Sequence, residues 1–142
     1  MYREILSKYQ KDNPWMNIAP PAPVERIKAT ANDLFTDFPE EEKELLLELE
    51  GDGIFLLNLN LLVRANRLAR SRGEPMDAEN ILIIAKSDFP QKYYGYVAED
   101  KQSDDRASRY RPGIYVLTPE RSKEPVANDI TELIDLYYQG LV

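Results

Sequence analysis

The chain has 142 residues, 43% apolar and 30% charged, with a formal net charge of −7. This length suits one domain that buries about 68–70% of its unfolded surface without a covalent or metal staple. The absence of cysteine and histidine excludes disulfides, thiolate zinc sites, thiol nucleophiles, Ser-His-Asp and Cys-His arrangements and imidazole metal ligands.

The first stretch, MYREILSKYQKDNPW, mixes both charge signs and lacks the apolar run of a signal peptide. Ile5, Leu6 and Tyr9 predict a short helix over Tyr2 to Lys11. Pro14, Pro20, Pro21 and Pro23 make Asp12 to Pro23 an extended arm, with Trp15 expected to pack back on the domain, a partner-binding tryptophan being the alternative. Residues 1–23 thus precede a core of 24–142 within a single domain. Val24, Ile27, Ala31 and Leu34 form the apolar stripe of a helix over Val24 to Phe35. Next comes FPEEEKELLLELEGDG. Pro39 suits the first helical position, the three glutamates after it complement the helix dipole, and Leu45, Leu46 and Leu49 make the buried face. Gly51 is the expected stop.

Ile54 to Leu57 reads as a short strand. A helix over Leu61 to Arg72 follows, capped by Asn58 or Asn60, with Leu61, Leu62, Ala65, Leu68 and Ala69 inward. Arg64, Arg67, Arg70 and Arg72 leave its other side as a basic face. That face is solvated, pairs with the acidic helix, or binds an anion. Ile81 to Ala85 is apolar at every position, as in a central strand covered on both faces. Ser87 to Lys92 turns the chain. Tyr93 to Ala98 then alternates, and Gly95 within it signals a bulge or a close backbone approach. Glu99 to Arg111 reads as a long polar loop, Ile114 to Leu117 as a strand and Val126-Ala127 as an edge. The closing helix is capped by Asn128 or Asp129, with Ile130, Leu133, Ile134, Tyr137 and Leu141 at helical spacing and Gly140 as the stop.

The acidity is local. Asp37 to Asp52 holds eight acids and one base, and the remaining residues hold 17 of each sign. Such a patch disfavours nucleic acid, whose phosphates need Lys and Arg, and suits a basic partner. No phosphate-cradling glycine loop, nucleophile elbow or calcium-loop spacing occurs. The glutamate run reads as a helix amino terminus and solvated face before it reads as a glycosidase-like acid pair. The expectation is a non-enzymatic protein with no cofactor, no metal, no membrane span and a cytoplasmic location. Seven of the nine tyrosines lie from Tyr93 onward, mostly as core-rim residues, with two or three on a binding surface.

Three stretches carry a resemblance to the SUKH superfamily, the Smi/Knr-type group of fungal glucan-synthesis regulators and bacterial immunity proteins. FPEEEKELLLELEGDGIF resembles the family's Leu-Pro, helix, Asn-Gly segment, with Pro39 and Gly51 matching and Phe38 and Glu50 replacing Leu and Asn. ILIIAKSDFPQKYYGYVAED resembles its strand, acidic turn and aromatic strand, with Phe89-Pro90 where relatives carry glycines. IYVLTPERSKEPVANDITELIDLYYQ resembles its last strand and closing helix. The match spans Val24 to Gln139. It implies an α+β fold with a mostly antiparallel sheet of about four to six strands flanked by helices. It also implies a binding protein: an immunity protein neutralising a toxin, often a nuclease, or alternatively a regulatory scaffold. On this reading Glu40, Glu41, Glu44 and Glu48 steer a basic partner, and Asp88, Tyr94 and Tyr96 form a concave face beside the sheet.

Overall fold

A computed structural model describes residues 1–73, 81–99, 109–118 and 124–142. Its helices are α1 (Tyr2–Gln10), α2 (Val24–Asp33), α3 (Glu40–Glu48), α4 (Leu59–Arg72) and α5 (Ile130–Tyr138). Its strands are β1 (Ile81–Asp88), β2 (Gln91–Val97) and β3 (Tyr115–Leu117). They form one antiparallel sheet in the order β1-β2-β3 among the described residues. The architecture is α+β.

The sheet is smaller than the family resemblance implies. Ile54 to Leu57 contributes a single bridge, Leu56 to Ala85, and Val126-Ala127 contributes another, Ile114 to Ala127. The middle strand is therefore β2. The outer edge of β1 is satisfied in two other ways. Leu57 donates its backbone N–H to the Ile84 carbonyl at 3.0 Å, and Lys86 donates to Phe55 at 3.1 Å. Beside them Asn66 of α4 turns both ends of its amide to one residue, while its Nδ2 also donates to the Leu62 carbonyl at 2.9 Å. Its Oδ1 accepts from the Ile83 N–H and its Nδ2 donates to the Ile83 carbonyl, both at 2.9 Å. A side chain thus stands in for a neighbouring strand.

That role explains why α4 is rotated from its predicted stripe. Asn66 is buried with Leu59, Leu62 and Ala69, while Leu61 and Leu68 are exposed. Asn58 is the cap, accepting from the Leu61 N–H at 2.8 Å, and Gly73 closes the helix in the left-handed region. Gly95 behaves as its position in a strand suggests. The register shifts between Ile83 and Ala85 directly opposite it, and a Cβ there would overlap the Leu82 carbonyl oxygen.

Two helix ends differ from expectation. Pro39 is the residue before α3, and α3 stops at Glu48, so Gly51 serves the loop beyond it with φ +86°. At the end of α2, Phe35 adopts φ +50°. Its N–H bonds to the Asn32 carbonyl and the Thr36 N–H to that of Ala31, each at 3.0 Å. This is a Schellman closure with phenylalanine where glycine is usual.

The proline arm lies along the loop after α3. The amides of Asn17, Ala19 and Ala22 donate to Asp52, Gly51 and Leu46 at 2.8, 3.1 and 2.9 Å. Met16 is buried by this docking, but Trp15 is 87% exposed, contrary to the expectation that it packs inward. The predicted loop over Glu99 to Arg111 lies mostly outside the described residues. Its two ends meet in a bridge between Ala98 and Tyr110. No described helix is long and apolar enough to cross a membrane.

Candidate partner-binding site

The acidic stretch divides into two sets by where the helix turn sends each side chain. Glu42 faces inward with Leu45 and Leu46 and is buried. Its Oε2 has no hydrogen-bond partner among the described residues. Burial, reinforced by the neighbouring charge of Glu41, raises its pKa well above the ordinary carboxylate value. Asp52 is also buried, but fully used. Its Oδ1 accepts from the N–H groups of Ile54, Phe55 and Leu56 at 3.0, 2.8 and 2.9 Å, and Tyr138 donates its hydroxyl to Oδ2.

Three more acids act as joints between distant segments. Glu41 accepts from the Tyr96 hydroxyl at 2.7 Å and from the Ile130 N–H, at the amino terminus of α5, at 3.2 Å. Glu48 accepts from the terminal ammonium at 2.8 Å and the Arg3 N–H at 2.9 Å, tying α1 to α3. Burial opposes its ionisation, yet these bonds prevail and hold its pKa below the ordinary value. Glu50 pairs with Arg26 of α2 and accepts from the Leu59 N–H at 3.1 Å.

Asp37, Glu40 and Glu44 remain exposed. Of the four glutamates expected to steer a partner, Glu40 and Glu44 are on the surface, while Glu41 and Glu48 are half-buried in the contacts above. Beside the exposed set lies a groove of about 300 Å³ between α2 and α3, lined by Val24, Ile27, Ala31, Phe38 and Leu47, with Lys28, Asp37 and Lys43 among its polar residues. Val24 and Leu47 are exposed, as is Phe35 at the left-handed end of α2. Sequence reasoning missed this groove because Val24 reads as part of the inward stripe of α2, whereas it is exposed, and no spacing sets Leu47 apart.

Tyr94 and Tyr96 do not form an accessible face. They are 0% and 3% exposed, because their side of β2 is covered. Tyr94 meets Phe55 edge-on, and Phe55 stacks on Tyr137 of α5. Burial, then the charges of Glu42 and Glu41, push the Tyr96 hydroxyl far above its usual range. Tyr2 at the same junction is pushed up to about 12, by burial first and the α3 carboxylates next. Asp88 is exposed at the hairpin tip, 3.5 Å from Lys86, away from α3. On α4 the exposed Arg64, Arg67 and Arg72 make no ion pair among the described residues, so the acidic helix is not their partner. No group of three acids among the described residues has the arrangement of a metal site.

A scan of protein-family models and a search of curated proteins both find no match to this chain.

Proposed function

We propose that this chain is a non-enzymatic, cytoplasmic protein-binding domain of the SUKH type, acting as an immunity protein that covers the basic face of a cognate bacterial toxin, a nuclease being the type of target it suits. The observation that carries the reading is the α2–α3 face. Exposed carboxylates of Asp37, Glu40 and Glu44 stand beside an apolar groove with Val24 and Leu47 at its surface. Carboxylates of this kind accelerate encounter with a basic surface, and apolar side chains hold the docked complex. A nuclease needs a basic face for phosphate, and an acidic helix competes for it.

The test is stopped-flow association with the toxin domain encoded beside this chain, over a range of salt. Glu40→Lys/Glu44→Lys should lower the association rate and flatten its salt dependence, leaving dissociation nearly unchanged. Identical association kinetics would remove the electrostatic part of the reading. Exposed Trp15 favours a second reading, a regulatory scaffold for an endogenous partner, since a bare tryptophan on a docked arm suits an interface hot spot. Capture from the native host of a housekeeping protein in place of a toxin, lost on Trp15→Ala, would select it.

A further inference from the structure

A second cavity, of about 440 Å³, opens between the tip of the β1–β2 hairpin and the carboxy-terminal end of α5. It shares no lining residue with the α2–α3 groove, and its chemistry differs. Ser87 and Lys92 are paired across the hairpin, so their side chains leave the same side of the ribbon. Tyr94, two residues after Lys92, leaves that side too and packs on Phe55, whose ring lies 3.8 Å from that of Tyr137. The wall facing the hairpin is therefore aromatic, made by Tyr137 and Tyr138. Phe89, 100% exposed, adds a ring at the tip.

Both charge signs are present and underused. The Lys92 side chain has no hydrogen bond or ion pair among the described residues, and the Tyr137 hydroxyl has no hydrogen-bond partner there. Among the described residues the Asp88 carboxylate has only the 3.5 Å contact with Lys86, and it stays exposed. A simple anion would meet Asp88 and, behind Tyr138, the Asp52 carboxylate. A simple cation would meet Lys92 and Lys86. A ligand carrying both charges and a flat apolar body satisfies every group.

We propose that this cavity binds a free aromatic α-amino acid as its zwitterion. The carboxylate pairs with Lys92 and the Tyr137 hydroxyl, the ammonium pairs with Asp88 at the rim, and the ring packs against Tyr138 and Phe89. The site uses no residue of α3 and does not rest on the partner reading above.

Isothermal titration calorimetry with phenylalanine, N-acetylphenylalanine and phenylalanine amide tests it on the full chain. Phenylalanine should bind, and loss of either charge from the ligand should weaken binding about tenfold or more. Lys92→Met should weaken phenylalanine by a similar factor and remove its advantage over the amide. Asp88→Asn should remove its advantage over the acetylated form. Thermal melts of the two surface variants check that the fold is kept. No binding at millimolar phenylalanine, equal affinity for the three ligands, or unchanged affinity in either folded variant would overturn the proposal.

Discussion

Glu42 and Asp52 on one side, and Glu40 and Glu44 on the other, belong to one acidic stretch and have opposite fates. The inner pair is buried, one carboxylate saturated by four donors and the other left with an unpartnered oxygen. The outer pair faces solvent beside the apolar groove. The difference teaches that a local charge count does not measure surface charge. Of the eight acids between Asp37 and Asp52, only Asp37, Glu40 and Glu44 are exposed. Glu41, Glu48 and Glu50 join α3 and its loop to α5, α1, α2 and α4.

The contrast is broken most strongly at Asp52. Asp52→Ala strands three backbone N–H groups and the Tyr138 hydroxyl, and should cost about 3–5 kcal/mol in a urea titration. A loss under about 1 kcal/mol would mean that the loop re-forms its bonds without the carboxylate. At Glu42 the sign reverses. Glu42→Met should stabilise by about 1–3 kcal/mol at neutral pH, since it removes a poorly satisfied buried carboxyl. Because the folded pKa is raised, the native state keeps a proton that the unfolded chain releases. The stability linked to that proton is complete below the ordinary carboxylate pKa and is lost as pH rises through the folded value. The gain of the Met variant should therefore grow with pH across that window, and a pH-independent gain would contradict the assignment.

A smaller effect is expected at the exposed left-handed end of α2. Phe35→Gly relieves a left-handed non-glycine residue and should stabilise by about 1 kcal/mol. The same change should weaken partner binding if the exposed ring contributes to the face, so melting temperature and affinity should move in opposite senses. Smallest of all, Glu40→Lys/Glu44→Lys should alter stability by no more than about 0.5 kcal/mol per site. Its consequences belong to association rate. A large stability loss there would place these side chains with the inner set.

Much of this molecule is legible one segment at a time. Periodicity and punctuation locate the five helices, Asp129 accepts from the Glu132 N–H as the cap of α5, and Gly95 announces its close approach to the neighbouring strand. These signals are short-range, written within a few residues of the feature they produce. What they leave open is which partner each polar group finds. Alternation separates Tyr94 and Tyr96 from Tyr93 but is silent on which side α3 and α5 cover. Helical spacing marks Asn66 as polar, yet only the placement of β1 turns it into an edge cap. The acidity of Asp37 to Asp52 is fixed by composition alone. Its division into joints, a buried carboxyl with one oxygen unpartnered among the described residues, and an exposed rim depends on segments 9 to 89 residues away, whose positions only the assembled fold supplies.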